Sequence, residues 1–320
     1  MLMSQKQNLQ QDKNGPEYYE KSKNMKPNPI WKRISLFQYP LISLALFIFI
    51  YVFIAFSAEP QQSEHVKARL ISEVKSIQPG ESFYVALWLK MDKLWHTYWK
   101  NPGDSGLPTK IEWNLPDGFV PGVVQWPYPK RFEKSGLVSF GYEGEVFLIT
   151  QIEAPKAIKS GTNAKLSASV DWLVCKERCT SGHVDLVIKM PVKDKNPKIN
   201  RRWASHFRET RKKLSRISSE WEVNAFINKD QILIHIDVPS EFKGELKNIT
   251  FFPEQGGIIN YSGSQNLKRA QDGYILEVQR SKLSTRLPAR LKGVLLSPEG
   301  WGNSREKRAL HIDVPLMNVN

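Results

Sequence analysis

The sequence predicts an all-β chain: two antiparallel β-sandwich domains, joined by a basic helix and preceded by one apolar N-terminal helix. Three observations carry this expectation. Short alternating or β-branched runs recur between prolines and glycines, one basic stretch switches to helical periodicity, and one long uncharged run lies near the N-terminus. The length of 320 residues suits about two domains.

The N-terminal element comes first. "LISLALFIFIYVFIAF" (41–56) has no charge, and the uncharged stretch extends from Ile34 to Ala58. That is long enough to span a bilayer core of about 30 Å as a helix. Lys21, Lys23, Lys26, Lys32 and Arg33 precede it, which predicts a cytoplasmic tail at 1–33 and residues 59–320 outside the cytoplasm. "AFSAEP" also offers small residues for signal-peptide cleavage. The long polar lead favours an uncleaved membrane anchor over a cleaved signal.

Next come the strands of a first domain at 65–192. "SFYVALWLKM" (82–91), "GEVFLITQIEAP" (144–155), "AKLSASVDWLV" (164–174) and "HVDLVIKMPV" (183–192) are separated by turns such as "QPGE" and "NPGDSGLP". The linker at 193–220 reads as a helix. Ile199, Trp203, Phe207, Leu214 and Ile217 fall on one narrow face, and the opposite face is strongly basic. Such a helix either lies on a membrane surface or covers one domain with its charges in solvent. Strands resume in a second domain at 221–320, which has no cysteine.

Charge distribution argues against a nucleic-acid groove. Of the net +14, the first 58 residues carry +4 and residues 193–218 carry +8, so both β domains are nearly neutral.

The two cysteines, Cys175 and Cys179, are four residues apart in "DWLVCKERCTSGHVDL". Four residues of extended strand cover about 13 Å, too far for a disulfide, so a bonded pair needs a hairpin tip or a helical turn. The flanking runs are strand-like, which favours the hairpin. Three chemistries remain open. In thiol exchange, Lys176 and Arg178 beside the sulfurs would favour the thiolate. In copper or zinc binding, Cys175, Cys179 and His183 would be the ligands, although "TSG" reads as a turn carrying His183 into the next strand. In a structural staple, such a short loop would stabilise little. Cys175 follows an apolar run and is expected to be the more buried, leaving Cys179 to attack first.

Several strings then resemble one family. "HTYWKNPGDSGLPTKIEWNLPDGF" (96–119), "QWPYPKRF" (125–132), "GYEGEVFL" (141–148) and "DWLVCKERC" (171–179) resemble the exported N-terminal region of the DsbD family, nearest its suppressor-of-copper-sensitivity B branch. "FFPEQGGII" and "LKGVLLSP" are similar to that branch's second β domain. The resemblance implies immunoglobulin-like sandwiches and a redox-active Cys175–Cys179 pair serving thiol:disulfide interchange without a cofactor. It further implies an aromatic shield, with Phe140 or Tyr142 as candidates and Trp172, Lys176 and Arg178 as further shielding or tuning residues. Implied partners are periplasmic thioredoxin-like or disulfide-isomerase proteins. The sequence ends at Asn320 without the family's membrane conduit, so a separate membrane electron donor is expected. Thr180 stands where the family pattern has proline.

Overall fold

The structure is a computed structural model that describes residues 61–282, 287–302 and 306–318. The expected tail and the anchor or signal segment at 34–58 lie outside the described residues. Among these, no helix is long and apolar enough to cross a membrane.

The first β region has two sheets. One runs in the order β1 (Gln61–Ser63), β2 (Val66–Ser72), β3 (Ser82–Met91), β9 (Glu145–Glu153) and β6 (Val120–Gln125). The other runs β11 (Cys179–Pro191), β10 (Asn163–Cys175), β4 (His96–Gly103), β8 (Leu137–Glu143) and β7 (Lys130–Lys134), with β5 (Lys110–Asn114) also pairing β10. Strict alternation sets which side chains face inward. Leu166, Ala168, Val170, Trp172 and Val174 of β10 are buried, as are Val85, Leu87 and Leu89 of β3. Each large apolar side chain buried this way contributes about 1.5–3 kcal/mol.

The outer face of the five-stranded sheet is also apolar, and α1 (Ala204–Lys212) covers it. Phe207 is fully buried there with Ile71, Ala86, Phe147 and Ile149. Arg211 forks onto both oxygens of Glu73 at 2.5 and 2.7 Å, fixing the helix to the sheet. The helix therefore lies against the first region. It is shorter than the periodicity of 196–220 predicts, because the flanking backbone pairs in strand fashion instead. Ile199 bridges Val74, Leu214 bridges Pro127 and Arg216 bridges Leu310. Ile199 and Ile217, expected on the buried stripe, are exposed.

The second region forms one hydrogen-bonded path: β14 (Thr250–Pro253), β17 (Arg290–Leu296), β18 (Ala309–Asn318), β12 (Val223–Asn228), β13 (Gln231–Asp237), β16 (Gly273–Gln279) and β15 (Gln265–Arg269). The expectation of purely antiparallel pairing is corrected here. β18 is antiparallel to β17, but its last residues run parallel to β12, with Ala225 opposite Leu316.

The two regions share one continuous core. Phe252 packs edge-on to Phe140 at 5.1 Å and to Trp99 at 6.4 Å, and Tyr261 packs edge-on to Phe140 at 5.2 Å. Buried Asn101 of β4 donates to the Pro253 carbonyl at 2.7 Å. Its neighbour Lys100 binds Glu254 at 2.5 Å, and His311 lies 3.3 Å from the same carboxylate.

Candidate functional site

The longest ladder among the described residues leads to the cysteines. β10 and β11 pair without interruption from Asn163↔Pro191 to Cys175↔Cys179. The tip is the three residues Lys176 to Arg178, where the Lys176 amide donates to the Arg178 carbonyl. This hairpin brings the cysteine Cα atoms to 4.1 Å, and the sulfurs are bonded. Thr180–Gly182 are strand residues, not the turn that "TSG" predicts. Gly182 has a steric reason to be glycine: a Cβ there would meet the Trp172 indole at 2.4 Å.

The two sulfurs differ in access. Cys175 is 4% exposed, whereas Cys179 is open to solvent. The Tyr98 hydroxyl donates to Cys175 Sγ at 2.9 Å and lies 4.0 Å from Cys179 Sγ. Burial raises the Tyr98 pKa, so the phenol remains a proton donor at neutral pH. The ring is backed by Gly106, where a Cβ would lie 2.2 Å from it. Gly106 adopts φ +108°, a left-handed geometry that favours glycine.

His96 of β4 sits opposite Cys175 in the ladder and stacks on Phe132 at 4.6 Å. Burial lowers its pKa; Glu143 pulls it up and Lys134 pushes it further down. The β7–β8 turn is tied to the site, because Lys134 Nζ donates to the Lys176 carbonyl at 3.0 Å. This arrangement is a half-exposed disulfide with one buried sulfur, a fixed hydroxyl donor on that sulfur and cations around it. It suits cleavage by a thiolate arriving at Cys179.

Residues 62–191 match the family described as thiol:disulfide interchange protein DsbD, N-terminal. This region belongs to the DsbD N-terminal family. The DsbD N-terminal region holds both cysteines and every residue of the site described above. The described chain is also similar to the crystal structure of the N-terminal periplasmic domain of ScsB from Proteus mirabilis. That match has a TM-score of 0.55 at 15% identity, covering 79% of this chain and 94% of that one, and it shows a shared fold. Likeness to BcpA, the major pilin subunit of Bacillus cereus, is remote: TM-score 0.25, 8% identity, with 82% of this chain and 69% of that one covered. No curated protein matches the chain.

Within the DsbD N-terminal region, the residues singled out from sequence fall in different places. Lys176 and Arg178 are exposed at the tip. Trp172 is buried beneath Gly182, its indole nitrogen without a hydrogen-bond partner. Phe140 packs at the boundary with the second region, and the Tyr142 hydroxyl donates to the Pro127 carbonyl at 2.6 Å. The aromatic that touches the sulfurs is Tyr98 of β4. His183 lies four residues along β11 from Cys179, with Nδ1 2.7 Å from Asp171. Among the described residues, no cluster of three His, Cys, Asp or Glu side chains has metal-binding geometry.

Tyr98, His96, Phe132 and Lys134 escaped sequence reasoning as site residues. Each reaches the disulfide through long-range strand pairing. The one local signal was the tyrosine itself, beside Trp99, since a buried hydroxyl usually finds a polar partner.

Proposed function

We propose that this chain carries out thiol:disulfide interchange through Cys175 and Cys179, facing the periplasm and held to the inner membrane by residues 34–58. The observation that carries the reading is the asymmetry of the disulfide: an exposed Cys179 bonded to a buried Cys175 that accepts a hydrogen bond from Tyr98. A partner thiolate attacks Cys179 Sγ in line with the S–S bond. The partner–Cys179 bond forms, the Cys175–Cys179 bond breaks, and the electron pair leaves on Cys175 Sγ as a thiolate. Tyr98 stabilises that thiolate. A second partner thiol then attacks the mixed disulfide, leaving the dithiol here and a disulfide on the partner. Run backwards, the same geometry has Cys179 attack a partner disulfide and Cys175 resolve it.

Thioredoxin-like or disulfide-isomerase proteins suit the partner role, and a separate membrane protein suits the donor role. A titration of the full chain against glutathione, with thiol trapping, tests this. A potential between roughly −120 and −270 mV supports exchange, whereas one below about −300 mV marks a structural bond and ends the reading.

A further inference from the structure

Resting on the exchange reaction above, we propose that Lys134, Lys176 and Arg178 select partners whose reacting thiol is flanked by carboxylates. Lys176 and Arg178 are the first and last residues of the tip, and both are exposed beside Cys179. Lys134 is held over the same tip by its bond to the Lys176 carbonyl. Among the described residues, none of the three has an ion-pair partner.

The carboxylates nearby are differently disposed. Glu143 is bound by Lys130 and Glu133 by Arg131. Asp104 accepts from the Val138 amide at 2.8 Å. Glu177 at the tip and the exposed Glu64, whose carboxylate accepts from the Thr180 hydroxyl at 3.3 Å, oppose the three cations, so the approach to Cys179 keeps a smaller excess of positive charge. Because Cys175 is buried, an attacking group must come in from this side.

Fixed cations within a Debye length of about 8–10 Å raise the encounter rate of an anion and lower that of a cation. The basic tip therefore favours attack by an anionic thiol over a cationic one. This effect is separate from thiolate stabilisation within the protein, because the leaving group, Cys175, is the same for every attacker. It makes no change to the bonds formed and broken, only to which partner arrives.

The test uses the oxidised full chain and three small thiols: anionic 2-mercaptoethanesulfonate, neutral 2-mercaptoethanol and cationic cysteamine. Second-order rates of disulfide reduction are compared at equal thiolate concentration. At about 20 mM salt, where screening is weak, the anionic thiol is expected to react about tenfold faster than the cationic one. That ratio should shrink towards unity at about 500 mM salt. It should invert when Lys134→Glu, Lys176→Glu and Arg178→Glu are combined. Equal rates for the three thiols in the unaltered protein at low salt, which needs no variant to fold, would overturn the inference and leave exchange intact. Failure of all three thiols to reduce the disulfide would instead overturn the exchange reading.

Discussion

The two β regions solve the same packing problem differently. The first splits its strands between two sheets and extends one hairpin, β10–β11, to a tip that holds both cysteines. The second runs seven strands in one path, has no cysteine, and offers Phe252 and Tyr261 to the first. The difference separates chemistry from support. The disulfide closes too short a loop to stabilise the fold much, so the shared core around Phe140 and Phe252 has that role, leaving the tip free to react.

Phe252→Ala should strike hardest at this division. A cavity at a buried phenylalanine costs about 3–5 kcal/mol, and because the core is continuous, denaturant should unfold both regions in one transition. Two separate transitions would show that the regions are independent. Gly182→Ala should cost less, about 1–3 kcal/mol, by forcing a methyl group into the Trp172 ring. Amide exchange should quicken in β10 and β11 while the second sheet is unaffected.

Tyr98→Phe sharpens the contrast on the chemical side. Removing the donor to Cys175 should slow exchange about tenfold with little change in melting temperature. An unchanged rate would remove Tyr98 from the reaction.

The smallest effect concerns the polar contacts between the regions. Burial would raise the Glu254 carboxyl, but hydrogen bonds from His311 and Lys100 outweigh it and lower the pKa from 4.5 to about 2. A depressed carboxylate stabilises the fold above its unfolded pKa, and that stabilisation is lost as pH falls from about 4.5 towards 2. After solvent screening it is worth on the order of 1 kcal/mol. Glu254→Gln should therefore lower the urea midpoint at pH 7, by less at pH 3, and converge with the unaltered protein only near pH 2.

Much of the first region was legible in sequence because its strands alternate cleanly. "SFYVALWLKM" is β3 with the same ends, and the hairpin follows from two strand-like runs on either side of "CKERC". Local composition misled at "TSG", where Gly182 makes room for a tryptophan across the ladder instead of turning the chain. It misled again along 196–220, where bridges to Val74, Pro127 and Leu310 override the helical stripe. Tyr98 was invisible as a site residue because its contact with Cys175 spans 77 positions, and no local pattern encodes that meeting.

The parallel pairing of β12 with β18 has a consequence for the order of events during folding. The β10–β11 hairpin zips from residues adjacent in the chain, a fast local step. Ala225, by contrast, waits for Leu316. Until β18 arrives, that stretch of β12 keeps an open edge of the kind that recruits foreign strands. A chain emerging N-terminus first would thus complete its reactive tip early and close its supporting sheet last.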